Sequence, residues 1–124
     1  MSETNEGRFS DGAELTRTDS KGRVLVVRQL NLREEMDLLS VAGPDDAMNR
    51  RWMMYATMVA CVRSIDGAPI PMAAKRTALL NNIDRIGAEG VAVVASILAA
   101  ETPDDADEAE PGDKPSETVA VAKN

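Results

Sequence analysis

The chain contains no histidine and a single cysteine, Cys61, which excludes several kinds of active site. Without histidine there can be no histidine general base, no Ser–His or Cys–His nucleophile pair and no histidine metal site. One cysteine can form neither an internal disulfide nor a thiolate zinc site. Gly87 and Gly90 are spaced as a helix break rather than as a phosphate-binding loop. We therefore expect a protein that is not an enzyme and that binds no cofactor or metal.

Aromatic residues and surplus positive charge are also scarce, which disfavours nucleic acid as a partner. The sequence has one Trp, one Tyr and one Phe, so few side chains could stack on bases. Its net charge is −7, whereas nucleic-acid-binding domains normally carry a basic stripe. The candidate basic patch is therefore interpreted as a solvated helix face; its residues are Arg50, Arg51, Lys75, Arg76 and Arg85.

Long apolar runs are missing as well. The N-terminus has no basic start followed by an apolar run, so the sequence predicts no signal peptide. Arg50, Arg51 and Arg63 interrupt the most apolar stretch, so we expect no membrane-spanning segment. The expected location is the cytoplasm, with no membrane partner.

Charge divides the chain into three parts. Residues 101–124 hold eight acidic and two basic residues together with three prolines, which predicts a disordered acidic tail. Residues 1–21 are polar and predict a flexible N-terminal arm. The remaining segment, 22–100, holds eight acidic and nine basic residues and forms the expected helical interaction domain. A domain of this size has a marginal core, so a homo-oligomer or a partner would have to add stability.

Apolar residues at steps of three and four predict an all-α fold, a small bundle of three to four helices. Asn31 and Glu34 form a capping-box pattern at the start of the first helix, whose expected buried stripe is Leu32, Met36 and Leu39. Before it, Arg23–Leu30 is a short extended segment that would pair with another chain or continue the helix backward. The predicted helices run from Asn31 to Gly43-Pro44, over Asp46–Ile65, from about Met72 to Gly87, and over Glu89–Ala100.

The helix predicted over Asp46–Ile65 is apolar on almost every side. Such a helix is either buried at the centre of a bundle or partly left for a partner. Its methionines could simply fill the core, or their flexible thioethers could shape a groove for varied apolar segments. On the second interpretation, the expected partner-binding residues are Trp52, Met53, Met54, Met58, Leu79, Leu80 and Ile83.

Three pieces of the segment 22–98 carry a resemblance to a known family: Trp52 on its helix, the run RSIDGAP at 63–69, and Ile86-Gly87-x-x-Gly90. They follow the extended segment GRVLVVRQLNLREEMDLL. With this arrangement the chain resembles the small tail assembly chaperones of tailed bacteriophages and prophages. The resemblance implies a helical, non-enzymatic protein of the host cytoplasm that binds the tape measure or another tail protein during tail morphogenesis.

Two other functions stay open at this point. The protein could be a permanent virion component, such as a baseplate or tail completion protein. A small DNA-binding regulator is the second alternative, and the charge distribution favours it least.

Overall fold

The computed structural model describes residues 7–101 and shows an α+β fold rather than an all-α bundle. Within that range the chain forms one four-stranded antiparallel sheet and four α-helices, preceded by a short 3-10 helix at Phe9–Asp11. The strands are β1 (Leu15–Thr18), β2 (Val24–Val27), β3 (Val62–Ile65) and β4 (Ala68–Pro69). The helices are α1 (Leu32–Ala42), α2 (Pro44–Ala47), α3 (Arg50–Cys61) and α4 (Arg76–Glu101). The prediction of an all-α fold is therefore wrong.

The sheet has the order β1-β2-β3-β4, and β2 is one of its two central strands. Leu25 pairs with Ile65 of β3, and Val27 pairs with Leu15 of β1. Leu25 and Val27 are both fully buried. The segment Arg23–Leu30 thus contains a strand, but it pairs within its own chain and does not extend α1. Sequence reasoning found β2 and missed both of its neighbours.

The N-terminal segment contributes to the core. Phe9 and Leu15 are buried, and the Glu101 carboxylate accepts hydrogen bonds from the backbone N–H groups of Phe9 (2.9 Å) and Ser10 (3.2 Å). The segment Phe9–Thr18 therefore contains the 3-10 helix and β1 and is not a flexible arm. Residues 1–6 of the predicted arm, and the predicted acidic tail after Glu101, lie outside the described residues.

The helix predicted over Asp46–Ile65 is divided into three elements. The side chain of Asn49 accepts a hydrogen bond from the backbone N–H of Trp52 and so begins a separate helix, α3. At Cys61 the chain passes directly into β3, and Asp66-Gly67 form a two-residue turn to β4. Both turn residues have positive φ, 51° and 83°, as tight hairpins require. The β-branched residues Val62 and Ile65 continue the apolar spacing of the helix. The predicted helix therefore included them, and β3 was not predicted.

The capping box at the start of α1 is confirmed. Asn31 accepts a hydrogen bond from the backbone N–H of Glu34, and Glu34 accepts one from the backbone N–H of Asn31. Glu34 also accepts hydrogen bonds from Arg28 (2.7 Å) and Arg63 (2.9 Å). Burial raises the pKa of Glu34, but the hydrogen bonds and the two guanidinium groups outweigh it and leave the pKa below its ordinary value. Glu34 thereby joins α1 to the ends of β2 and β3.

The expected buried stripe of α1 is wrong. Leu32, Met36 and Leu39 are exposed, with 71%, 57% and 45% of their surface accessible. The residues that α1 buries are Leu38 and Ala42. The helix is therefore rotated relative to the expectation, and its apolar stripe faces outward.

Gly87 interrupts α4, as predicted from the sequence. Its backbone has φ 70° and ψ −178°, a conformation open essentially to glycine alone. The next glycine, Gly90, is buried, and an added Cβ there would collide with Ile86 and lie 3.4 Å from Leu25. Gly90 therefore lets Ile86 pack against the backbone of its own helix, and it places the second half of α4 in contact with Leu25 of β2.

Arg23 caps the C-terminal end of the first half of α4. Its guanidinium donates hydrogen bonds to the backbone carbonyls of Arg85 (2.9 Å) and Ile86 (2.7 Å), which lose helical partners at the break. Buried Asp19 holds Arg23 through its Nε (2.8 Å) and its backbone N–H (2.9 Å). Burial raises the pKa of Asp19. The hydrogen bonds from Arg23 and Lys21 have the opposite effect and together outweigh burial, so the pKa of this carboxyl lies below its ordinary value.

Arg23→Met should destabilise the fold, because two helix-end carbonyls lose a charged donor. We expect a loss of about 2–4 kcal/mol in the free energy of unfolding. Urea unfolding followed by circular dichroism measures it. The control is Arg33→Met, because Arg33 is 84% exposed and, among residues 7–101, pairs only with Asp37 on the surface of α1. Its expected cost is below about 0.5 kcal/mol. Equal losses in the two variants would contradict the role given to Arg23.

Candidate functional site

An apolar groove of about 630 Å³ lies between α3 and α4. Among the side chains that line it, the only polar atoms are the indole N–H of Trp52 and the phenol O–H of Tyr55. All the others are aliphatic, or glycine. The lining residues are Trp52, Tyr55, Ala56, Val59, Ile83, Gly87, Ala88, Val91 and Ala92.

Trp52 is held in place at one end of the groove by Arg76. The guanidinium carbon of Arg76 lies 5.5 Å from the centre of the indole ring, in a cation–π contact. Arg76 also donates a hydrogen bond to the Ala42 carbonyl (2.7 Å) and pairs with Asp46 (2.6 Å). With three partners from α1, α2 and α3, the guanidinium has little freedom. The cation–π contact favours this position of the Trp52 ring in the wall of the groove.

The opposite wall owes its shape to small residues. Ile83 and Val91 pack against the core, whereas Ala88 and Ala92 are exposed. Ala88 and Ala92 are four positions apart, so they share one face of α4. Gly87 adds no side chain between them and Ile83. The groove exists because this face of α4 carries too little side-chain volume to cover Trp52 and Tyr55.

The Trp52 end of the groove is basic. Arg50 and Arg51 directly precede Trp52 in the chain, and Lys75 directly precedes Arg76. All three are exposed and form no salt bridge with any residue of 7–101. Arg51 precedes Tyr55 by four positions and so lies on the same face of α3. We call these three residues, together with Arg76, the basic end.

The structure separates the residues that the sequence proposed as one site. Trp52 and Ile83 line the groove. Met53 is partly buried against the core, and Met54 and Leu80 are exposed but do not line the groove. Met58 and Leu79 are core residues, 6% and 1% exposed.

Sequence reasoning missed most of the groove wall. Tyr55 and Val59 line the groove beside Trp52, but they are not among the residues predicted from the sequence. The missed lining residues are Tyr55, Ala56, Val59, Gly87, Ala88, Val91 and Ala92. An aromatic pair facing a glycine and two alanines at i and i+4 is the signal that could have identified them.

The thiol of Cys61 is not available for chemistry at the surface. Cys61 is buried, and this burial raises the pKa of its thiol to about 11. It is therefore protonated near neutral pH and a weak nucleophile. Across residues 7–101, no group of three or more Cys, Asp or Glu residues could hold a metal ion. No helix in the same range is long and apolar enough to cross a bilayer.

Comparison with protein-family models, with curated proteins and with solved structures found no match for this chain. Function must therefore be inferred from the groove and from the residues around it.

The two methionines at positions 54 and 58 should respond differently to truncation. Met58→Ala removes a core side chain and should cost about 2–5 kcal/mol of unfolding free energy. Met54→Ala should cost less than about 0.5 kcal/mol, because Met54 is half exposed. Urea unfolding of both variants measures the difference. A large loss for Met54→Ala would show that its side chain is covered in solution.

Proposed function

We propose that this protein is a non-enzymatic tail assembly chaperone of a bacteriophage, whose groove binds an apolar helical segment of the tape measure or another tail protein. The sequence resemblance supports the phage assignment. The observation that carries the binding role is the apolar groove between α3 and α4, with Trp52 in its wall.

The lining of the groove suits an apolar helix better than a small metabolite. Small-molecule sites contain several placed polar groups that orient the ligand, whereas this groove offers only Trp52 Nε1 and the Tyr55 hydroxyl. Both of these lie on the same wall. An apolar helix placed in a groove is recognised through buried side chains and needs few polar contacts.

Such binding would protect a tail protein before assembly. A long helical protein exposes apolar stripes until its partners arrive, and exposed stripes promote aggregation. The groove is open on one side, so an occupant can leave when the tail provides a larger apolar surface. Neither step requires covalent chemistry.

Ala88→Gln tests the groove directly. Ala88 is exposed in the groove wall, so the longer side chain should not disturb the core. It would place an amide where the bound helix has no hydrogen-bond partner, which should weaken binding about tenfold. The measurement is co-purification of the tagged full-length protein with the tape measure protein of the same phage genome.

The matched control is Ala100→Gln, an exposed alanine of the same helix outside the groove lining. It should retain the binding of the unaltered protein. If both variants bind equally well, the groove is not the binding surface.

The alternative functions predict different results. A chaperone should be absent from purified mature particles, whereas a baseplate or tail completion protein should be present in stoichiometric amount by mass spectrometry. Retention of DNA in a low-salt filter-binding titration would instead favour a regulator and contradict the proposal.

A further inference from the structure

Charge is distributed unevenly between the described part of the chain and its C-terminal segment. Residues 7–101 contain twelve acidic and twelve basic residues and are neutral as a whole. Residues 102–124 contain seven acidic and two basic residues. Within the neutral part, the basic end of the groove concentrates cations: Asp46 pairs with Arg76, while Arg50, Arg51 and Lys75 have no acidic partner in 7–101. The acidic segment and the basic end are complementary.

The same C-terminal segment ends in a short apolar run. After the acidic residues come Val119, Ala120, Val121 and Ala122, and the two valines are its largest aliphatic side chains. An acidic stretch followed by an apolar run matches the arrangement of the site, where cations lie beside an apolar groove.

The length of the segment allows it to reach the groove. Along α4, at 1.5 Å per residue, the distance from Glu101 is about 14 Å back to Ala92 and about 38 Å back to Arg76 at the basic end. Seventeen residues lie between Glu101 and Val119, and a chain of that length spans about 23 Å as a random coil and at most about 60 Å when fully extended. A tethered segment also has an effective concentration in the range of about 1 mM. A dissociation constant below about 1 mM is therefore enough for the segment to fill the site.

The other exposed apolar surface is less suitable for this segment. The outward stripe of α1, formed by Leu32, Met36 and Leu39, is flanked by exposed Glu35 and by the exposed Arg33–Asp37 ion pair. This surface has no surplus of cations that would attract an acidic chain. The cations of the basic end would attract it.

We propose that the C-terminal run Val119–Ala122 occupies the groove of its own chain, guided by the acidic residues before it, and that a client helix must displace it. The displacement step rests on the proposed function, whereas occupancy of the groove does not. In this arrangement the chain covers its own exposed apolar wall until a more apolar occupant arrives. Binding of the client is then a competition, which favours long apolar helices over short or weakly apolar ones.

Trp52 is the only tryptophan of the chain and lines the groove, so its fluorescence reports on occupancy. The experiment compares acrylamide quenching in the full-length protein and in Val119→Asp/Val121→Asp. The variant should show an increase of about twofold or more in the quenching constant, because the charged run leaves the groove. Added salt should increase quenching in the unaltered protein, since it screens the charge attraction.

Ala106→Asp/Ala109→Asp is the matched control, because it adds the same charge to the same segment and keeps the apolar run. Its quenching should stay at or below that of the unaltered protein. Circular dichroism should be the same for all three proteins, since the substitutions lie beyond α4.

The inference is overturned if Val119→Asp/Val121→Asp is quenched like the unaltered protein. It is also overturned if the protection of Trp52 disappears on dilution, because the run would then occupy a second copy. No tail protein is present in this assay, so its result is separate from the proposed function. Protected Trp52 without any tail-protein binding would refute the chaperone role alone.

Discussion

The break at Gly87 is the constraint on which the other features of this fold depend. It lets the first half of α4 pack Leu79 into the core and the second half approach β2 at Gly90. The break leaves backbone carbonyls without helical partners, and Arg23, held by buried Asp19, supplies donors to two of them. A turn between β1 and β2 therefore stabilises a helix end more than sixty residues away.

The groove follows from the same arrangement. At the break, α4 presents glycine and alanine to the aromatic side chains of α3, and these small residues cannot cover Trp52 and Tyr55. Arg76 contacts the indole ring through a cation–π interaction. The protein thus retains an apolar surface that its own described residues do not fill, next to a cluster of cations. Both properties are typical of a surface that binds another chain segment.

Local signals in the sequence predicted local structure well. The capping box of Asn31 and Glu34, the helix end at Gly43-Pro44 and the break at Gly87 are all found where they were expected. Pairing between distant segments was not predictable from spacing alone, so β1 and β3 were assigned to an arm and a helix. Asp66-Gly67 directly follows the helix predicted over Asp46–Ile65, although this pair of residues is a strong hairpin signal. The candidate site was recovered only in part, because apolar periodicity does not distinguish Met58, which is buried, from a residue left for a partner.

The central claim is that the groove between α3 and α4, and not the apolar stripe of α1, is the binding surface. Chemical-shift mapping of the isotope-labelled full-length protein, titrated with an apolar helical segment of the tape measure, tests it most directly. We predict the largest changes at the Trp52 indole and at the backbone amides of Ala88, Val91 and Ala92. Largest changes at Leu32, Met36 and Leu39, with the Trp52 indole unaffected, would contradict the claim.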